Sequence, residues 1–451
     1  MKKNRRYTKN RLLSVLILVV IISACSMITP EVVDTPDLPD IPAGVIYINP
    51  TIDLGEINPL VYGVNHGPWA IITEKTLPLA QDAGISMIRF PGGDWGDEHY
   101  LQPYHIDQFV SLAEQMGSQI SINVRLFNGT PEKAAELVQY ANIEKGYGIK
   151  YWGIGNEPTL FATARDVPNY GVDQFNQEWR TFAQAMKAVD DSILLIGPEL
   201  HQFGPDIDST PKDPFGKDWM SEFLIANGDL VDVVSIHRYP FPLGRGGRAA
   251  TIGELSAAST EWDQIIPYLR SLILETTGRD IPIAVTEVNS HWSNAVGGEA
   301  SPDSFYNAVW WADVLGRMIT NRVDIVNYFT LQSHPGTGGY GLFSRSDPRP
   351  TYYIYKMYQE FGNKLVLSGC DDPQIGVYAA LDQDDVLTVM LINLGEDDIT
   401  RPLLIEGQQR GLIEIWRFDE AHLAEPIESD LFGGLEEIML SEQSVTLLKL
   451  K

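Results

Sequence analysis

A chain of 451 residues with 44% hydrophobic and 10% aromatic residues is long enough to bury one large core and a smaller one beside it. Its formal charge of −27 repels phosphate backbones and leaves no basic surface for lipid headgroups, which excludes nucleic-acid binding and electrostatic membrane attachment. Two cysteines, Cys25 and Cys370, are too few for a disulfide framework.

At the N-terminus, Lys2, Lys3, Arg5, Arg6, Lys9 and Arg11 precede an apolar run over 12–24 that is too short to span a bilayer comfortably. Residues 1–25 are therefore expected to be a secretory signal. Ile22, Ser23, Ala24 and Cys25 resemble a bacterial lipobox. The resemblance implies a lipid on Cys25, a chain tethered to the outer face of the cell envelope, and membrane contact through that lipid alone. Residues 26–43, rich in proline and acid, cannot bury enough apolar surface to fold alone and read as a disordered tether.

From residue 44 short apolar runs alternate with amphipathic stretches, the pattern of a parallel α/β fold. Strands are predicted over 60–65, 86–91, 119–124, 151–156, 193–198, 231–237, 282–287 and 325–330. Helices are predicted over 106–116, 131–142, 172–189, 219–226, 262–277, 304–319 and 352–361, three of them closed by Gly117, Gly278 and Gly362. These alternations fit a (β/α)8 TIM barrel over 44–363. A doubly wound open sheet is the alternative, but no glycine fingerprint opens the first helix, where 65–70 reads NHGPWA. From 364 the helical period stops, and the runs 375–380, 386–394, 412–418 and 445–450 predict a C-terminal β-sandwich over 364–451. The run 44–48 has no slot in the barrel and is assigned to that sandwich.

Parallel barrel strands deliver functional groups at their C-terminal ends, and the polar residues of this chain gather there. Asn65 and His66 follow the first strand, Arg89 and Asp94 the second, and Asn156 and Glu157 the fourth. His201 follows the fifth, His237 and Tyr239 the sixth, Glu287 and His291 the seventh, and Gln332 and His334 the eighth; five of the eight histidines are in this set. Glu157 ends YWGIGNEPT and Glu287 ends IPIAVTEVN, so two glutamates on two strand ends could face one cleft, as glycosidic bond cleavage requires. A purely structural role is available to each: Glu157 as the acid opening a helix, Glu287 as the ion-pair partner of Arg89. Trp69, Trp95, Trp292 and Tyr340 are candidates for stacking on sugar rings. There is no HExxH and no spaced cysteine pair, and the glycine-rich run 336–341 (GTGGYG) lacks the lysine and serine of a phosphate loop, so no metal or cofactor is expected.

Asn156-Glu157-Pro158 at a fourth strand, Glu287 in VTEVN at a seventh, His237 and Tyr239 in SIHRYP, and Arg89 in IRFPGGDW resemble the large clan of TIM-barrel retaining glycoside hydrolases. The resemblance covers about 44–451 and implies Glu157 as acid/base, Glu287 as nucleophile and Asn156 as the partner of the hydroxyl beside the reacting carbon. It implies that Tyr239 or His237 steadies the nucleophile, and places Asn65, Arg89, Asp94, Trp95, His291 and Trp292 among the substrate-binding residues. INPLVYGVN, RFPGGDW and the terminal sandwich are most similar to the alpha-L-arabinofuranosidases, with beta-xylosidases and endoglucanases as near branches. One departure stands out: many clan members end the eighth strand with tryptophan, whereas this chain reads VNYFT. The substrate expected is an oligo- or polysaccharide; a glycan-binding protein without catalysis, or a transglycosylase using the same residues, are the competing readings.

Overall fold

The structure, a computed structural model, describes residues 38–40, 42–241, 250–292, 297–333, 339–428 and 436–451. The predicted signal, Cys25, most of the tether, His334 and residues 336–338 of the glycine-rich run lie outside the described residues. Among the described residues no helix is long and apolar enough to cross a membrane.

Eight parallel strands close into a barrel: β2 (Gly63–Asn65), β3 (Met87–Phe90), β4 (Gln119–Val124), β5 (Tyr151–Ile154), β6 (Leu194–Leu200), β7 (Val233–Arg238), β8 (Ile283–Val288) and β9 (Ile325–Tyr328). Closure is made by β2 against β9, where Gly63 pairs with Asn327 and Val64 with Tyr328. The strands are covered on both faces, so they read as nearly unbroken apolar runs, and all eight lie where the sequence places them. The helices follow suit: Val172–Val189 and Trp262–Thr277 begin and end as predicted, while the run from 131 is a helix, Pro131–Val138, finished by a wider π turn, Gln139–Glu144.

The pleat divides the barrel strands between two environments. Ile88, Ile122, Trp152, Leu195, Val234 and Ile283 point outward into the helical layer. Met87, Ile196, Val233, Ala284 and Ile325 point inward and fill the floor of the barrel. Two residues further along their strands come Arg89, Ser235, Thr286 and Asn327, all buried. The interior thus changes from hydrocarbon at the floor to polar and charged toward the mouth.

The second unit is one nine-stranded sheet. Its strands are β1 (Ile46–Glu56), β13 (Lys364–Gly369), β14 (Ile375–Leu381), β15 (Leu387–Asn393), β16 (Ile399–Ile405), β17 (Leu412–Phe418), β18 (Leu423–Pro426), β19 (Glu437–Leu440) and β20 (Ser444–Leu450), in the order β18-β17-β20-β15-β14-β13-β1-β16-β19. Three two-residue strands, β10 (Gln332–Ser333), β11 (Phe343–Ser344) and β12 (Asp347–Pro348), form a separate ribbon after the barrel. The nine-stranded sheet curls on itself, so Leu387, Val389 and Leu391 of β15 share one core with Ile46 and Ile48 of β1 and with Ile438 and Leu440 of β19. This gives the two-layered packing expected of a sandwich from a single sheet. Residues on the opposite face of the sheet, Met390 and Ile392 of β15, Tyr378 of β14 and Leu447 of β20, belong to the barrel's core instead. Strand β1 lies between β13, antiparallel, and β16, parallel, so the first strand among the described residues is an inner member of a sheet otherwise built from the last ninety or so residues.

Candidate active site

Three strand irregularities shape the mouth. The pairing register shifts between Gly197 and Leu200 on β6, between Ile236 and His237 on β7, and between Val285 and Val288 on β8. Such bulges re-aim side chains that a regular pleat would send outward. Here they turn Glu199 and Glu287 inward beside Thr286 and His237, which regular alternation already points into the barrel. Glu157 arrives differently. After β5 the chain passes through Gly155 at φ +79, and Glu157 itself adopts φ +46 and ψ +54 before Pro158 opens a short 3-10 turn. Glu199 has φ +60. A left-handed backbone is costly for residues with a Cβ, by about 1–3 kcal/mol each, and persists where surrounding contacts enforce it.

Glu287 is held on both oxygens. Arg89 Nη1 donates to Oε1 at 2.7 Å, the Gly93 amide donates to the same oxygen at 2.8 Å, and the Tyr239 hydroxyl donates to Oε2 at 2.8 Å. Gly93 has φ +64, a left-handed backbone that favours glycine at the point where its amide reaches Glu287. Burial, with the nearby charges of Glu287 and Glu157, pushes the Tyr239 phenol well above its ordinary range, so it remains a donor.

Glu157 faces two histidines. His237 Nδ1 lies 2.9 Å and His201 Nδ1 3.2 Å from Oε1. Burial opposes its ionisation, but the hydrogen bonds from His201 and His237 prevail and hold the carboxyl below the ordinary range. The other face of the His237 ring meets Glu199, with Nε2 2.8 Å from Oε2. Burial disfavours the imidazolium, yet Glu287, Glu157 and Glu199 outweigh it and raise His237 to about 9. Both ring nitrogens therefore carry protons and donate to carboxylates. Glu199 is fully buried and also accepts from Thr286 and Asn123 and pairs with Arg89 at 3.3 Å. Burial works against its charge, but Arg89 first and His237 next lower it to about 2.

Glu157, His237 and Glu287 each offer an atom within 4.8 Å of the others, a spacing that a metal ion would fit. His237 already places both ring nitrogens against carboxylates, Nδ1 on Glu157 and Nε2 on Glu199, so a cation would have to displace its contact with Glu157.

Asn156 sits beside Glu157. Its Oδ1 accepts from Arg89 Nη2 at 2.9 Å, and its Nδ2 donates toward Asp94 at 3.3 Å, while Asp94 also pairs with Arg165 at 3.2 Å. The Asn156 amide is fixed by Asp97, which accepts from the amides of Leu126, Phe127 and Asn156 and is pushed up to about 6 by burial. Phe329, in the VNYFT run that ends the eighth strand, makes an aromatic wall with Trp69, Tyr239 and Tyr340 at centroid distances of 6.3, 6.4 and 5.5 Å.

Several expectations need correction. Asn65 and Arg89 do not reach the cleft surface: both are fully buried, and Asn65 spends its amide on Arg89 and on the carbonyls of Thr286 and Asn327. They support Glu287 and Asn156 from below. His291 is turned away, its Nδ1 beside Ser290 Oγ, its Nε2 accepting the Ala250 amide, and its ring against Phe241. Trp95 stacks on His99 at 4.7 Å and meets His105 edge-on, so this face of the ring is already occupied. Trp292 is 44% exposed. Of the two residues proposed to steady the nucleophile, Tyr239 bonds Glu287 and His237 bonds Glu157. Glu199 and Asp97 escaped the sequence reading. The signal for Glu199 was an acid in the buried run LLIGPEL of β6.

No protein-family model matches the chain. Among curated proteins it is similar to the intracellular exo-alpha-(1→5)-L-arabinofuranosidase 1 of Bacillus subtilis, 24% identical over 269 residues that cover 47% of this chain and 51% of the relative. The corresponding enzyme of Halalkalibacterium halodurans is 23% identical over 238 residues, 44% of each chain. The chain thus spans about half the length of the curated relatives it matches. Among solved structures, the alpha-L-arabinofuranosidase of Thermotoga maritima in complex with arabinose superposes with a TM-score of 0.69 at 16% identity, over 90% of this chain and 99% of that one. A bifunctional glucanase-xylanase from a metagenome library gives 0.71 at 19% identity, over 91% and 99%. At these identities the likeness is one of fold, a TIM barrel with an appended β-sheet domain.

Proposed function

We propose that this protein is a retaining glycoside hydrolase in which Glu287 is the nucleophile and Glu157 the acid/base. The observation that carries the reading is the spacing of the two glutamates, with carboxylate oxygens within 4.8 Å across the mouth. Retaining enzymes hold this pair about 5–5.5 Å apart, whereas inverting enzymes need about 6.5–9.5 Å to admit a water.

In the first displacement a Glu287 oxygen attacks the anomeric carbon as its bond to the leaving oxygen breaks. Protonated Glu157 gives its proton to that oxygen. In the second, Glu157 takes a proton from water, the resulting hydroxide attacks the same carbon, and the ester to Glu287 breaks. Arg89, Gly93 and Tyr239 hold and aim the Glu287 carboxylate. Asn156, beside the acid, is placed for the sugar hydroxyl next to the reacting carbon, and the wall around Phe329 for the ring face.

The sugar we propose is an arabinofuranoside, supported by the names of the curated relatives and of several structural neighbours. A xylan- or glucan-type backbone is the second reading, favoured by the glucanase-xylanase neighbour. A panel of aryl arabinofuranosides, xylosides, glucosides, galactosides and glucuronides separates them. Arabinofuranoside cleavage lost in Glu287→Gly and restored by azide with inverted product supports the proposal. Binding without release on every substrate would instead make the protein a lectin-like binder, and transfer to added sugars a transglycosylase. The lipobox-like segment supports a tethered, exported form; globomycin-sensitive processing or metabolic labelling with palmitate at Cys25 tests it.

A further inference from the structure

The mouth holds more negative than positive groups. Arg89 and the doubly donating His237 are the buried cations, and Glu157, Glu199 and Glu287 the carboxylates that touch them. Glu287 is matched by Arg89, which leaves His237 between two acids, Glu157 on Nδ1 and Glu199 on Nε2. The catalytic reading requires a proton on Glu157, and a carboxylate that were the only counter-ion of a buried imidazolium would not accept one readily. Glu199 lessens that obstacle by taking up part of the imidazolium's charge from the Nε2 side. It lies deeper than the glutamates at the mouth, with no exposed surface, and is fastened by Thr286, Asn123 and Arg89, so substrate cannot reach it.

We propose that Glu199 is a positioning residue for the acid/base: as the counter-ion of His237 from below, it frees Glu157 to hold and release the catalytic proton. Charge counting makes the role explicit. With Glu199 and Glu287 ionised and Arg89 and His237 charged, the cluster is neutral only when Glu157 is protonated. Without the Glu199 charge, neutrality is reached with Glu157 ionised, and its proton must be added against a net positive site. Other groups facing the cluster are His201 on Glu157, Tyr239 on Glu287, and Asp94 with its partner Arg165. None of them touches the Nε2 side of the His237 ring, which Glu199 occupies.

This inference rests on the glycosidase reading, and the test keeps the two apart. Glu199→Gln is nearly isosteric and removes only the charge. On a glycoside with a poor leaving group, the basic limb of its kcat/KM profile is expected to move down by roughly 1–3 pH units, the effect of one nearby charge. A dinitrophenyl glycoside, which needs no acid to leave, should lose less than about threefold in the same variant. Glu199→Asp should recover most of the wild-type profile. Superimposable profiles, or equal losses on both substrates, overturn the proposal. A second readout needs no turnover: nitrogen-15 NMR titration of the His237 ring, whose midpoint should fall in Glu199→Gln. An unchanged midpoint overturns the counter-ion role. If Glu199→Gln fails to fold, the same titration on Glu199→Leu, which also removes the charge, decides in the same sense. If the wild type cleaves no glycoside, the functional reading has failed, and the His237 titration still decides the coupling.

Discussion

Two groups of buried charge in this molecule, one at a seam and one at the mouth, are held differently. At the seam between barrel and sheet, Asp313 on the helix Phe305–Thr320 is fully buried, accepting from Tyr378 of β14 at 2.6 Å and from Arg317 at 2.8 Å, while Arg317 also meets the half-exposed Asp263. The seam is closed by small residues: a Cβ on Gly316 would fall 2.3 Å from the Tyr378 ring, and one on Gly376 2.3 Å from Asp313. Asp313 and Arg317 sit in regular helix, four residues apart, and each is paired. At the mouth, two of the three carboxylates are on left-handed residues, the anions outnumber the cations that touch them, and Glu157 keeps 13% of its side chain exposed. Burial of charge is common to both regions. An enforced left-handed backbone under the carboxylates belongs to the mouth, and regular helix to the seam.

If that contrast is real, substitutions at the mouth should change rate and those at the seam should change stability. The largest effect is expected from Glu287→Gly, a fall in kcat on the order of 10⁴-fold or more, measured on the best aryl glycoside of the panel. Glu157→Ala should follow, with a loss of about 10²–10⁴-fold on substrates with poor leaving groups and little loss on dinitrophenyl glycosides. Asp313→Ala breaks a buried pair and should cost about 3 kcal/mol in denaturant unfolding while kcat of the folded enzyme stays at the wild-type value. Tyr239→Phe removes a hydrogen bond to a charged group, worth about 1.5–3 kcal/mol, so kcat/KM should drop roughly 10–100-fold. The smallest effect concerns pH. His237 is raised from its ordinary value to about 9, so its contribution to stability is complete below about pH 6.5 and is lost as pH climbs through about 9. Melting curves across that window should show a decline that Glu199→Gln reduces; a decline of equal size in both proteins would sink the linkage.

The barrel was legible because each of its strands is a buried run set off by helices of the right length. The sheet domain was less so. Strand β16 carries Pro402 and alternates half-buried with exposed positions, and the second half of β1, with its register shifts after Asn49, reads as polar loop. At the mouth, the sequence identified which residues stand at strand ends but not how deep they lie. Depth depends on how far neighbouring strands are staggered, a relation between distant segments that no local pattern encodes. Asn65 and Arg89 consequently looked like binding residues when they are supports. Glu199 was invisible for a related reason: the run appeared to stop at Pro198, and only the irregular pairing between Gly197 and Leu200 turns its carboxylate inward.

The position of β1 bears on how the chain is made. Ribosomal synthesis releases this strand some three hundred residues before either neighbour, β13 or β16, exists to pair with it. Until then its backbone amides and carbonyls are an unpaired edge, open to strands of other nascent molecules. The sheet can be completed only after the barrel lying between in the chain has emerged, so β1 is the segment most in need of a holdase during biogenesis.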